Sequence, residues 1–174
     1  MMFATVLVAQ SPAPLEQRYL TVETALDEIF GHHVTTADTL TISADLADRF
    51  ATSFGAPPSI QQVPLYLVGE GSHLEGYAMI WEEVGKYYPI TFLVATSLEG
   101  RVLGVRVLIY RESHGGDVRR SRFLSQYKGK GPESAVRTHR DIINLSGATL
   151  SVNAMNRGVR KVLHLIDHYR KGRP

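Results

Sequence analysis

The stretch "LEGYAMIWEEVGKYYPITFLVATSLEGRVLGVRVLIYRE", Leu74–Glu112, decides the fold. It holds three runs rich in β-branched and aromatic residues, "LEGYAMIWEE", "YPITFLVATS" and "GRVLGVRVLIYRE", parted by turn signals at Val84-Gly85 and Glu99-Gly100. Upstream, "VPLYLVGE" from Val63 to Glu70 is a run of the same kind, with Gly69-Glu70-Gly71 as its turn. Connections this short have no room for crossover helices, so the runs pair as an antiparallel meander of about four strands. A parallel dinucleotide-binding sheet is thereby set aside. Tyr77, Trp81 and Phe92 are expected in the sheet core.

On either side of the meander the period changes to that of helices. "TVETALDEIFG" sets Val22, Ala25, Leu26, Ile29 and Phe30 on one face, with Thr21 as N-cap and Gly31 as stop. A second helix is expected over Ser43 to Phe54, broken by "GAPPS". After the meander, "SHGGDVRRSRFLSQYKGKG" predicts a short helix carrying Val118, Phe123, Leu124 and Tyr127, ended by Gly129. The last helix, from about Leu150 to Arg170, spaces Val152, Met155, Val159, Val162, Leu163, Ile166 and Tyr169 along one face, with Arg157, Arg160, Lys161 and His164 opposite. The fold class is therefore α+β: a twisted antiparallel sheet of about four or more strands, N-terminal helices, and a long C-terminal helix packed on the sheet.

The chain has 174 residues, 44% apolar and 21% charged, which suits one globular domain with a sizeable core. A formal charge of +2 gives little reason to expect a nucleic-acid partner. The absence of cysteine removes disulfides, thiolate metal sites, iron–sulfur clusters and Cys nucleophiles at once. "MMFATVLVAQSPAP" pairs a nine-residue apolar run with Ala9-Gln10-Ser11, a small-x-small pattern like a signal cleavage site. Residues 1–14 are read as a residual export segment ending near Ser11, residues 15–174 as a single domain, and the protein as periplasmic or otherwise extracytoplasmic. An ordinary buried segment is the competing reading, since no Lys or Arg precedes the run.

The chemistry centres on "NLSGATLSVNAMNRGV", Asn144–Val159, where Ser-Gly-Ala-Thr stands at the entrance to the last helix. Ser146 and Thr149 could simply cap that helix. Alternatively, their hydroxyls, the free backbone N–H groups and the positive helix end could hold a phosphate. Neither GxxxxGK[ST] nor GxGxxG occurs, which sets aside the standard loops for triphosphates and dinucleotides.

"LSGATLS", Leu145–Ser151, resembles the S/T-G-A-T motif of the FMN-binding domain family, which includes the covalent-flavin subunits of the sodium-pumping NADH:quinone oxidoreductase and the Rnf complex. A second block agrees. "GVRVLIYRESHGGDVRRSRFLSQYKGK" is similar to the family's strand, its E-T-P-G turn and its F/W-L-x-Q-F-x-G-K helix, and "EGYAMIW" resembles the family's preceding strand. The matches run in order from about Gly76 to Val162. The resemblance implies an FMN cofactor, with Thr149 esterified to its phosphate by a separate flavin transferase. It implies contacts from Ser146, Gly147, Ala148, Leu150 and Ser151 around the phosphate, and from the turn Glu112, Ser113, His114 and Gly115, with Lys128 and Lys130 near the flavin by analogy. Two departures stand out: the family's aspartate six residues before the threonine is Ile143 here, the nearest carboxylate being Asp141, and the turn reads Glu-Ser-His-Gly-Gly.

The function implied is electron relay by a covalent flavoprotein, with a membrane redox protein as donor or acceptor and no catalytic residue of its own. Two rivals remain open: a noncovalent FMN-dependent reductase in which Glu112 or His114 handles protons, and a flavin-free binding or assembly module. Polar turn residues such as Glu112 and His114 more often serve structure. His32-His33 with Asp38 lack helix-spaced partners, and adjacent histidines point apart, so no metal is expected.

Overall fold

The computed structural model describes residues 16–31, 34–70 and 73–173. The apolar segment 1–14, the His32-His33 pair and Gly71 of the expected turn lie outside these residues. Strands β2 (Val34–Thr41), β3 (Gln62–Glu70), β4 (His73–Val84), β5 (Pro89–Ser97) and β6 (Val102–Tyr110) form an antiparallel meander. The two-residue β1 (Gln17–Arg18) pairs with the outer edge of β6, giving a six-stranded sheet.

β5 is the sheet's middle in more than position. Its alternation sends Phe92 and Val94 to one core with Met79, Val105 and Val107, and Leu93 and Ala95 to another with Ala78 and Leu108. All four of these β5 side chains are fully buried. On the first face lies α4 (Thr149–Lys171), 23 residues and about 35 Å long. Val152, Met155, Val159 and Ile166 of this helix are fully buried in the same core, joined by Leu46 and Phe50 of α2 (Ala44–Phe54). The opposite face is covered by Ala25 and Leu26 of α1 (Val22–Phe30). The expected cap is present, with Thr21 Oγ1 accepting from the Thr24 amide at 3.2 Å, and Ser43 caps α2 in the same way, its Oγ accepting from the Leu46 amide at 3.3 Å.

Helix α4 comes unusually close to the sheet at Gly158. A Cβ there would lie 2.4 Å from Cζ of Phe92 and 3.1 Å from Cδ1 of Trp81. Part of the polar face of α4 is also engaged. Glu83 of β4 accepts from Arg157 Nε at 3.2 Å, Lys161 Nζ at 2.8 Å and Trp81 Nε1 at 3.3 Å, which ties helix to strand. His164 meets the rings of Phe50 and Phe54 edge-on at 5.9 and 5.7 Å.

Three features differ in detail from the sequence expectation. Strand β2 was not anticipated, because "VTTADTLT" lacks the apolar alternation of a half-buried strand; it is an edge strand, held by its ladder with β3 from Val34↔Gly69 to Thr41↔Gln62. β1 is too short to leave a periodic signal. The single helix expected around Val118 to Tyr127 is three pieces: a 3-10 turn at Gly116–Arg119, α3 (Ser121–Leu124) and a 3-10 turn at Ser125–Tyr127. Arg120, extended at φ −67° and ψ 136°, splits the run, and Val118, Phe123, Leu124 and Tyr127 still all reach the main core. Among the described residues no helix is long and apolar enough to cross a membrane.

Candidate functional site

The entrance to α4 is built by a tight turn. The Ala148 amide donates to the Leu145 carbonyl at 3.1 Å, with Gly147 at φ +76°, so the chain enters the helix abruptly. Ala148 occupies the N-cap, and no side chain caps the helix. The capping role open to Ser146 and Thr149 is therefore not taken up: the Thr149 hydroxyl instead accepts from Asn144 Nδ2 at 2.9 Å. Asn144 Oδ1 is buried with no partner. The first-turn amides of Thr149, Leu150 and Ser151 have no carbonyl one turn earlier within the helix to bond, which leaves a positive, donor-rich helix end.

Opposite this end stands the turn that follows β6. Glu112 is 7% exposed, and its Oε1 accepts the amides of Lys86 at 2.5 Å, Tyr87 at 2.6 Å and Tyr88 at 3.0 Å. Three successive N–H groups of the β4–β5 turn thus form a nest around one carboxylate oxygen. The same turn is tied to α4. Tyr110, the last residue of β6, donates its hydroxyl to the His114 carbonyl and lies 2.9 Å from Ser151 Oγ. Burial pushes the Tyr110 phenol above its usual pKa, consistent with a neutral hydrogen-bonded group. Gly115, at φ +84°, leaves no room for a side chain: a Cβ would sit 2.5 Å from Ser151 Oγ and 2.9 Å from the Tyr110 hydroxyl. His114 is exposed, with Nδ1 2.9 Å from Ser113 Oγ.

These pieces enclose a cavity of about 350 Å³ lined by Lys86, Tyr87, Glu112, Ser113, His114, Gly147, Ala148, Thr149, Leu150 and Ser151. Segments 112–114 and 147–151, far apart in sequence, both line it. Tyr87 and Leu150 stand at the rim, 69% and 51% exposed, and the Lys86 ammonium lies 4.6 Å from the Tyr87 ring centre. Ser146 and Lys128 are exposed and do not line the cavity, while Gly115 sits behind it against Ser151. Lys130 pairs with Asp141 at 3.3 Å. Ile143 is 77% exposed, with its amide donating to Gln126 Oε1 at 2.7 Å and its carbonyl accepting from Gln126 Nε2 at 3.4 Å.

Lys86 and Tyr87 are the cavity residues that the sequence reading did not single out. "GKYY" shows only a turn between strands; an exposed lysine and tyrosine there become informative once the Glu112 nest carries that turn to the helix end. Among the described residues no group of three or more His, Asp or Glu is poised for a metal ion. Asp38 accepts from the Tyr169 hydroxyl and from the Thr39 amide.

Residues 85–164 match the family model of the FMN-binding domain. No curated protein matches the chain. Every residue lining the cavity, from Lys86 to Ser151, falls within the matched span.

Proposed function

From the match of residues 85–164 to the FMN-binding domain, we propose that the chain is an electron-transfer flavoprotein with the FMN phosphate at the N-terminus of α4. One observation carries the reading: a 23-residue helix begins without a side-chain cap, and its first turn opens into a cavity shared with the Glu112–His114 turn. Helix ends this long are normally satisfied, and a phosphate supplies what the caps would. Asn144 Oδ1, buried without a partner beside Thr149, adds an acceptor whose hydrogen bond the protein itself does not supply. At about 350 Å³ the cavity is at the small end of ligand sites, so a ligand of FMN's size extends past it over the exposed Tyr87 and Leu150.

The roles follow from placement. Thr149 Oγ is the attachment point, becoming a phosphodiester oxygen and giving up its proton. The flavin transferase must present FMN in an anhydride-linked form, because a hydroxyl does not displace hydroxide from a phosphate monoester; the Thr149 Oγ–P bond forms as the anhydride P–O bond breaks, and the second phosphate leaves with the bridging oxygen. The Thr149, Leu150 and Ser151 amides and the Lys86 ammonium offset the phosphate's charge, and the Glu112 nest fixes the turn that faces it. When bound, FMN supplies one- or two-electron transfer, and the protein places it and tunes it. Glu112 spends one oxygen on three amides, which favours this structural role over proton transfer and so favours a carrier over a reductase. The remaining elements belong to the same unit, since β4 pairs with β5 and α1 and α2 share cores with the matched segment. The redox partner is a membrane protein, met on the outer side of the cytoplasmic membrane.

Two measurements test this. Titrating the protein with FMN should quench flavin fluorescence and slow hydrogen exchange in residues 112–116; neither change at high FMN sinks the flavin reading and leaves the assembly module. Coexpression with an active flavin transferase should add one FMN to the intact mass, and an unchanged mass restricts FMN to a dissociable ligand.

A further inference from the structure

A second cavity lies on another side of α4. It measures about 290 Å³ and is walled by the C-terminal end of α2, by Arg160, Leu163 and His164 of α4, and by the segment from Gly131 to Arg140. It shares no lining residue with the cavity at Thr149. Arg160 lies eleven positions beyond Thr149, about 16 Å along the helix axis.

Three arginines line it, Arg137, Arg140 and Arg160, and no aspartate or glutamate does. Among the described residues none of the three forms an ion pair, although neighbouring cations do. Arg157 and Lys161 hold Glu83, Lys130 holds Asp141, Arg101 holds Glu133, and Arg170 and Lys171 hold Asp167. The nearby carboxylates are thus already engaged. Nε of Arg160 is buried with no acceptor, and burial followed by the charge of Arg137 lowers the Arg160 pKa. The C-terminus of α2 offers roughly half a negative charge against three positive ones. The wall that carries Arg137 and Arg140 is held in an uncommon backbone: Val136 has φ +42° and His139 φ +65°, and Asp141 accepts the Val136 and Arg137 amides at 2.9 and 2.8 Å. Arg137 and Arg140 are exposed, Arg160 is half-buried with its guanidinium 5.9 Å from the Phe54 ring centre, and three guanidinium groups lining one recess without a carboxylate suit an anion.

We propose that this cavity is a binding site for a phosphate-bearing anion, seated against the guanidinium groups of Arg137, Arg140 and Arg160. Guanidinium forks match phosphate oxygens two at a time, and their gathering in one recess suits a compact multivalent anion better than an extended acidic chain. The Ser134 hydroxyl, which accepts from the Gly131 amide at 3.0 Å, retains its own proton to donate. Phe54, Pro132 and Leu163 give an apolar wall for an organic group attached to the phosphate. The site stands independently of the flavin reading.

The test is a titration of the full chain with inorganic phosphate and with glycerol phosphate at constant ionic strength, followed by amide chemical shifts. Saturable shifts are expected at residues 53–54, 131–140 and 160–164. Arg160→Gln and Arg137→Gln should each weaken binding about tenfold, whereas Arg157→Gln, whose arginine is paired with Glu83, should leave it unchanged; melting curves in chloride check that each variant folds. Sedimentation with phosphatidylglycerol vesicles separates two sources of the anion: retention reversed by phosphate assigns a lipid headgroup, and no retention assigns a soluble phosphate ester. The proposal is overturned if phosphate shifts only residues 148–151, if Arg137→Gln and Arg160→Gln titrate like the wild type, or if hexaglutamate but not phosphate moves the 131–140 resonances, which would make the recess a dock for acidic protein.

Discussion

Thr149 and Ser151 share the first turn of α4, yet their hydroxyls are placed for different work. Ser151 is 4% exposed and bonded to Tyr110, so it belongs to the joint between the helix and the Glu112–His114 turn. Thr149 is exposed, and among the described residues its oxygen accepts from the Asn144 side-chain amide. We therefore expect Thr149→Ala to abolish covalent flavin in intact-mass spectra while shifting stability by under about 1 kcal/mol, because that hydroxyl caps nothing. Thr149→Ser should retain part of the attachment. Ser151→Ala should leave attachment in place and cost about 1 kcal/mol in denaturant unfolding, from the lost buried hydrogen bond. Equal loss of flavin in the Thr149 and Ser151 alanine variants would contradict this division. Glu112→Ala removes the acceptor of three amides in a partly exposed turn, and a loss of about 1–3 kcal/mol is expected, with faster hydrogen exchange at Lys86–Tyr88. Unchanged exchange there would show that the nest does not hold the turn.

At the scale of elements, the contact between α4 and the sheet depends on Gly158. Gly158→Val would drive a branched side chain into Phe92, which is fully buried and has neighbours on both sides. Helix propensity alone would favour the substitution, whereas overpacking opposes it by about 1–3 kcal/mol or more. Net destabilisation in thermal melts is the expected result, and stabilisation would mean that the helix can lift off without loss. The segment from Val136 to Ile142 is instead pinned by charge. Burial alone would raise the Asp141 carboxyl, but the Arg137 and Val136 amides and Lys130 outweigh it and hold it below the usual aspartate value. A carboxyl depressed in the folded state contributes stability above its unfolded pKa of about 3.9 and loses it as pH falls through the lower folded value. Amide exchange at Val136 and Arg137, corrected for its intrinsic pH dependence, should therefore lose protection below about pH 4. Asp141→Asn should remove most of that acid step.

The whole molecule is joined through one sheet. β4 and β5 contribute to both cores, so neither α1 nor α4 has a core of its own to melt around. A single calorimetric transition is expected, with matching calorimetric and van't Hoff enthalpies, and two resolved transitions would separate the faces. Because FMN would bind only the assembled helix end and turn, it should move that same transition upward, by about 2.7 kcal/mol at a hundredfold excess over its Kd.

Local patterns in the sequence were enough for much of this architecture. Alternating β-branched runs with connections too short for crossovers forced antiparallel pairing, and the Thr21 cap and the 3.6-residue spacing of α4 were visible because caps and periodicity are properties of neighbouring residues. The motifs around Glu112 and Thr149 stood out through their resemblance to the FMN-binding domain family, since local pattern alone allows a plain helix cap and a structural turn. What only the tertiary structure decided were long-range partnerships. The sequence holds no local sign that Glu112 would gather the amides of Lys86, Tyr87 and Tyr88, that β2 would find a ladder despite its polar face, or that Ala148 would leave α4 uncapped. Nor could residue spacing show that Arg137, Arg140 and Arg160 would share a recess while Glu83, Asp141 and Asp167 were bonded elsewhere. Charge compensation depends on which side chains meet across the fold, and that is fixed only when the sheet, the loop and the helix are packed together.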